Sequence, residues 1–238
     1  MRIYAHRGAS ATEPENTLRA FRRALEIGAE GIEFDVHMTV DRVPVVIHDR
    51  SIARTTNGHG NVDELTLGAL AEIDAGHGER IPTLHEVLDL VGDRVHLDVE
   101  IKQAGIEREV LATLARCPDT RWAISSFDWN VLRAVRALSH DAELWLLSSF
   151  VSDALFTTAG EVNATAVSLS MLGYNQETAS RLTDAGAAAS LATAARRRAA
   201  PFTSTMPAMI NASPTKRLTP MSSSSTAQPT TVATIGIR

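Results

Sequence analysis

The chain has 238 residues, enough for one large domain or two small ones with a sizeable core. Its formal charge of −5 argues against a general nucleic-acid binder, because such proteins present a basic surface to phosphate. A small anionic substrate still fits if local Arg or Lys meets it. The only cysteine, Cys117, leaves no intrachain disulfide and no cysteine-built zinc site, and we predict a small buried apolar role for it.

The N-terminus enters an apparent strand without the apolar segment that a secretory signal needs. No stretch of about 18 apolar residues exists to cross a bilayer. We therefore expect a soluble cytoplasmic protein without stable membrane insertion.

In chain order, apolar strands alternate with amphipathic helices, which is typical of parallel β/α units. The strands are predicted at 2–6, 31–36, 43–48, 94–101, 121–126, 143–148 and 164–169. The first helix has Asn16 or Thr17 as its cap and Gly28 at its exit, and the next begins with a capping box formed by Thr83 and Glu86. Further helices are predicted near 105–116, 128–139 and 175–185, and a Gly-rich insertion at about 50–80 is expected over the strand ends.

The last quarter of the chain has a different composition. All 28 acidic residues and 17 basic ones fall within 1–184, which gives that part a charge of −11, whereas 185–238 carry +6 and are rich in Ala, Ser, Thr and Pro. We therefore predict a catalytic domain over 1–186 and an atypical tail over 187–238, disordered or produced by a shifted reading frame. The expected fold is an α/β barrel of the (β/α)8 type that stops after about six β/α units.

Two predicted strands place acidic and apolar side chains on opposite faces. In 31–36 the alternation sends Glu33 and Asp35 to one face, and in 95–102 it groups Asp98, Glu100 and Lys102 with His96. Burying so many charges costs several kcal/mol per ion unless they are paired or bind a metal. The pattern therefore predicts a metal site.

Further polar residues follow at the predicted carboxyl ends of strands, the edge where parallel α/β folds place their active sites. They are His6 with Arg7, and His48, which precedes Asp49. Three carboxylates suit a hard ion such as Mg²⁺ or Ca²⁺, while two histidines suit general acid–base catalysis and Arg and Lys suit phosphate. Together they have the parts for metal-assisted phosphodiester hydrolysis.

Several ordered motifs carry a family resemblance. They are His6-Arg7-Gly8, Pro14-Glu15-Asn16-Thr17, Gly31-Ile32-Glu33-Phe34-Asp35-Val36, Val45-Val46-Ile47-His48-Asp49, Arg54-Thr55-Thr56-Asn57-Gly58, Ile81-Pro82-Thr83-Leu84 and Glu100-Ile101-Lys102. Over about residues 3–185 this sequence resembles the glycerophosphodiester phosphodiesterases of the bacterial type, and the C-terminal quarter departs from them.

The resemblance implies a TIM barrel that hydrolyses glycerophosphodiesters to an alcohol and glycerol 3-phosphate. In that family the positions matching Glu33, Asp35 and Glu100 bind a divalent metal, Mg²⁺ or Ca²⁺. Those matching His6 and His48 serve as acid and base, and those matching Arg7 and Lys102 contact the phosphate. The implied reaction uses the neighbouring glycerol hydroxyl as nucleophile and passes through a cyclic phosphate.

Two other interpretations stay open at this point. A related lipid phosphodiesterase, lysophospholipase D-like or sphingomyelinase D-like, would share the histidines and metal acids, and a truncated barrel would be non-catalytic. The remaining histidines are predicted to have structural roles; they are His37, His59, His77, His85, His96 and His140.

Overall fold

The computed structural model describes residues 2–170, 188–193 and 232–235. Its strands are β1 (Arg2–His6), β2 (Gly31–Met38), β3 (Pro44–Val46), β4 (His96–Ile101), β5 (Arg121–Ser126), β6 (Leu144–Ser148), β7 (Ala166–Ser170), β8 (Ala188–Thr193) and β9 (Val232–Ile235). Its helices are α1 (Leu18–Glu26), α2 (Leu67–Leu70), α3 (Leu84–Val91), α4 (Glu107–Leu114), α5 (Trp129–Leu138) and α6 (Asp153–Glu161).

Eight of the strands form a closed parallel ring. Its order is β1-β2-β4-β5-β6-β7-β8-β9, and β9 pairs back onto β1. The predicted β/α barrel is thereby confirmed as the fold class. The sequence predicted that the barrel stops after about six β/α units, whereas the structure has eight barrel strands. β8 and β9 lie between β7 and β1 and remove the open edges that such a stop would leave.

The third strand lies outside this ring. β3 runs antiparallel to β2, with Val36 opposite Val46, so His48 does not end a parallel barrel strand as the sequence had suggested. The chain instead turns back along β2 after Met38. The sequence could not predict this, because a short apolar run has the same pattern in a parallel and in an antiparallel strand. His48 still returns to the carboxyl end of β2, because Ile47 N donates a hydrogen bond of 3.0 Å to Asp35 O.

The helix starts follow from the caps that the sequence predicts. Thr17 accepts a hydrogen bond from Ala20 N, and Thr83 and Glu86 form the complete capping box of α3.

Helix α6 was missed. Its buried positions include Thr158 and Ala159, which give only a weak apolar stripe. The predicted helix at 175–185 lies outside the described residues, and the boundary between 186 and 187 stays a prediction.

The insertion has an apolar core of its own. Its buried residues are Val45, Ile47, Ile52, Val62, Leu70, Ala75 and Ile81. The larger core lies between the barrel strands and the helices, where, for example, Phe21 of α1 packs against Phe34 of β2 at 5.7 Å between ring centroids. Because Val45 and Ile47 closely precede His48 and are buried in the core of the insertion, packing of the insertion fixes the position of His48 at the carboxyl ends of the barrel strands.

Candidate active site

Three buried carboxylates converge inside the barrel. Glu33 and Asp35 project from β2 and Glu100 from β4, and Asp35 lies directly opposite Glu100 in the register of the two strands. One oxygen from each lies within 4.8 Å of the others. The residues Glu33, Asp35 and Glu100 are 4%, 0% and 7% exposed. The alternation in the sequence thus correctly grouped these acids on one face.

The environment of the acids fits a cation. Burial and the neighbouring carboxylates raise the pKa of Glu33 well above its ordinary value and that of Glu100 to about 7. Asp35 Oδ1 is buried and has no hydrogen-bond partner among the described residues. Oxygen-only ligands of this kind are those that Mg²⁺ and Ca²⁺ prefer. The residues present therefore fit a hard divalent ion.

Two basic side chains border the carboxylates. Lys102 Nζ lies 2.6 Å from Glu100 Oε1 and 3.5 Å from Asp35 Oδ1. Burial alone would lower the pKa of Lys102, but Glu100 and Asp35 outweigh it and raise that pKa. Arg7 Nε lies 3.3 Å from Asp35 Oδ2. Both cations are fixed beside the acids and are available to an anionic group that enters the mouth.

The two histidines lie at the same mouth. His6 Nε2 is 3.7 Å from Glu33 Oε2, and burial together with the charge of Arg7 lowers the pKa of His6 to about 4. His48 Nε2 lies 3.4 Å from Lys102 Nζ, while His48 Nδ1 pairs with Asp49 Oδ1. The carboxylate on Nδ1 orients the His48 ring and leaves Nε2 directed at the site. The structure therefore brings all seven predicted site residues together.

Three further residues, to which the sequence assigned no role in the site, contact this cluster or connect the insertion to it. Arg54 donates to both oxygens of Glu15, at 2.8 and 3.1 Å, and also to Asp49. Glu15 in turn accepts from Arg7 Nη1 at 2.9 Å. Asn16, in the left-handed region at φ 59°, donates to Asp35 Oδ2 at 2.9 Å. All three lie within the motifs that carry the family resemblance, and this location is the sequence signal that could have identified them.

The family assignment follows from sequence comparison together with this geometry. The glycerophosphoryl diester phosphodiesterase family matches residues 6–203 of the chain. The chain belongs to the glycerophosphoryl diester phosphodiesterase family. The predicted resemblance is confirmed over most of its extent.

Two curated relatives of the family cover part of the chain. A glycerophosphodiester phosphodiesterase of Caldanaerobacter subterraneus subsp. tengcongensis is 43% identical over 159 residues, which are 61% of this chain and 65% of that protein. One of Bacillus altitudinis is 38% identical over 162 residues, 62% of this chain and 66% of that protein. The match thus spans slightly less than two thirds of each relative.

A solved structure of the family agrees in fold. A phosphodiesterase of Oleispira antarctica, in complex with the product sn-glycerol-3-phosphate, superimposes with a TM-score of 0.75 at 27% identity. The alignment covers 81% of this chain and 84% of that one. No helix within the described residues of this family member is long and apolar enough to span a membrane.

One interior pair differs from the prediction. The strand alternation groups His96 with Asp98 on one face, yet His96 Nδ1 lies 2.8 Å from the hydroxyl of Tyr4, and His96 Nε2 lies 3.5 Å from Glu143 Oε2. Asp98 neighbours Glu33 across the β2–β4 pairing, and burial raises its pKa to about 8. His96 therefore belongs to a separate polar cluster with Tyr4 and Glu143, consistent with the structural role predicted for it.

Proposed function

We propose that this chain hydrolyses small water-soluble glycerophosphodiesters to an alcohol and glycerol 3-phosphate. The observation that carries the proposal is the convergence of a carboxylate cluster, two phosphate-compatible cations and two histidines at one mouth of the barrel. Membership of the family and the product named for the Oleispira antarctica relative support the same chemistry. We further propose that the protein is cytoplasmic. We also propose that it binds no nucleic acid, which its negative charge supports.

A divalent ion, Mg²⁺ or Ca²⁺, is the proposed cofactor. Glu33, Asp35 and Glu100 would hold it through their carboxylate oxygens. When bound, such an ion supplies charge stabilisation to phosphate oxygens. It would also offset the like charges that raise the pKa of Glu33 and Glu100.

Arg7 and Lys102 are the proposed phosphate-binding residues. Lys102 offers a point charge and Arg7 a planar fork, and both lie beside Asp35. Their location orients the phosphodiester between the carboxylates and the two histidines. Because Arg7 is also tied to Glu15, its position does not depend on substrate.

His6 and His48 are the proposed proton-transfer residues. We assign the base to His6, which removes the proton from the glycerol hydroxyl that attacks phosphorus, and the acid to His48, which protonates the departing alcohol. The Asp49 carboxylate pairs with His48 Nδ1, which orients the ring and leaves Nε2 directed at the site for proton transfer. The cyclic phosphate is then opened by water with the roles reversed, so that each ring returns to its starting state.

The test is hydrolysis of glycerophosphocholine by the purified chain with Mg²⁺ or Ca²⁺, and then with EDTA. We expect metal-dependent release of glycerol 3-phosphate that Glu33→Ala abolishes. Glu26→Ala is the matched control, since Glu26 pairs on the surface with Arg23 at 3.0 Å and is not among the proposed site residues. Absence of release from a chain that circular dichroism shows to be folded would refute the proposed substrate class, and EDTA-resistant release would refute the metal requirement.

A further inference from the structure

A second group of metal-ligating side chains lies outside the active site, in the helix layer. His85 and Asp89 stand one turn apart on α3, and Cys117 follows the end of α4. One ligand atom from each of the three lies within 4.8 Å of the others. No member is shared with the carboxylate cluster of the barrel mouth.

The distances approach those of a metal site. Cys117 Sγ lies 3.8 Å from His85 Nδ1 and 3.9 Å from Asp89 Oδ1, and His85 Nε2 lies 3.7 Å from Asp89 Oδ2. Tetrahedral zinc with bonds of about 2.0 Å to nitrogen or oxygen and 2.3 Å to sulfur separates its ligand atoms by roughly 3.3–3.5 Å. These distances use both ring nitrogens of His85 and both oxygens of Asp89, whereas one ion takes a single atom from each residue. With one ligand atom per residue the separations lie within 4.8 Å, and side-chain rotation would have to bring them to the zinc distances.

The donor types select the class of ion. Thiolate and imidazole favour a borderline-soft ion over Mg²⁺ or Ca²⁺, which prefer oxygen. We propose that His85, Asp89 and Cys117 form a site for a divalent transition metal of the zinc type that joins α3 to the segment after α4. The side chains of His85 and Asp89 are 43% and 64% exposed, so water has access to complete the coordination.

This site differs from what the sequence indicated. A single cysteine excludes a site built from cysteines, and His85 was expected to be structural. Sequence spacing does not indicate this site, because Cys117 is 28 residues from Asp89 along the chain and becomes adjacent to it only in the folded structure. Cys117 is also half-buried against the main core, which holds its position, rather than serving only as an apolar residue.

The test is a titration of the full chain with Co²⁺, after EDTA treatment and under reducing conditions, followed by optical absorption. We expect a saturable thiolate-to-cobalt charge-transfer band that Zn²⁺ displaces. Cys117→Ser abolishes the band, and His85→Ala and Asp89→Asn weaken apparent Co²⁺ affinity at least about tenfold. The band persists in Glu33→Ala, which retains all three ligands, and in the control His59→Ala.

The contrary results are equally defined. No thiolate band in folded wild-type chain overturns the site, as does a band whose affinity His85→Ala and Asp89→Asn leave unchanged. Thermal melts without metal check that each variant folds. Because the readout is absorption and the barrel-mouth ligands are all oxygen, the result is independent of whether glycerophosphocholine is hydrolysed.

Discussion

Gly8 occupies a position where both backbone conformation and space exclude a side chain. Its φ is +78°, and an added Cβ would lie 2.8 Å from Ala20 C, a backbone atom that cannot rotate away. Gly28 provides the matched control, since its φ is +79° but nothing lies within 4 Å of an added Cβ. Comparison of Gly8→Ala with Gly28→Ala therefore separates the cost of the close contact from the cost of the left-handed conformation.

The two costs have different sizes. A left-handed alanine costs about 1–2 kcal/mol, which a stiffer unfolded chain partly offsets, so we expect about 1 kcal/mol for Gly28→Ala. Overpacking adds about 1–3 kcal/mol, so Gly8→Ala should cost about 2–4 kcal/mol. At about 2–4 °C per kcal/mol for a chain of this size, the melting temperature should fall by roughly 2–4 °C for Gly28→Ala and by roughly 4–16 °C for Gly8→Ala.

Urea unfolding of both variants measures the difference. We also expect Gly8→Ala to lower kcat for glycerophosphocholine more than Gly28→Ala does, because Gly8 follows directly after His6 and Arg7. Equal destabilisation of the two variants would refute the reasoning, since the contact between Gly8 and Ala20 would then carry no cost.

Three further changes probe the insertion and the helix caps. Arg54→Ala should lower kcat/KM about tenfold, because Arg54 holds Asp49 and Glu15. Arg50→Ala should change it less than about twofold, because the partners of Arg50, Asp63 and Glu64, are not among the proposed site residues. Glu86→Ala should cost about 1 kcal/mol in urea unfolding through loss of the capping box, with kcat unchanged. The hydrogen bond from Arg54 lowers the pKa of Asp49 from 3.8 to about 2. The ionised Asp49 carboxylate therefore stabilises the folded state fully above pH 3.8, and this stabilisation is lost as the pH falls towards 2. Between these pH values, chemical unfolding should show that wild type loses more stability than Asp49→Asn.

The site was predictable from the sequence to the extent that it depends on strand parity. Acids alternate with apolar residues in β2 and β4, and this alternation fixes the face of Glu33, Asp35 and Glu100 regardless of neighbouring strands. The contribution of Arg54 was not predictable, because it depends on how the insertion packs. Its contacts with Glu15 and Asp49 arise only once the apolar residues of the insertion are buried.

The last two barrel strands, β8 and β9, were not predicted from the sequence. Val232–Ile235 is a short run that contains Val and Ile, but Ala188–Thr193 consists of Ala, Ser, Leu and Thr, a composition with weak strand preference. Its place is set by pairing, with Leu169 opposite Leu191. Whether residues 187–238 reflect the original reading frame stays a prediction, which resequencing of the locus tests; an intact frame would refute it.

The carboxylate site depends on a single strand register. Glu33 pairs with Asp98 and Asp35 with Glu100, so two rungs of acids face the barrel interior. A slip of one residue between β2 and β4 would place each acid beside an apolar neighbour and send one set of charges into the core, at several kcal/mol per ion. Because Lys102 N also donates to Val36 O at 3.1 Å, the same register holds the lysine beside the acids. Strand pairing in this barrel is therefore coupled to the geometry of the carboxylate cluster, and a cation that binds there, as proposed, would stabilise the register that creates its own site.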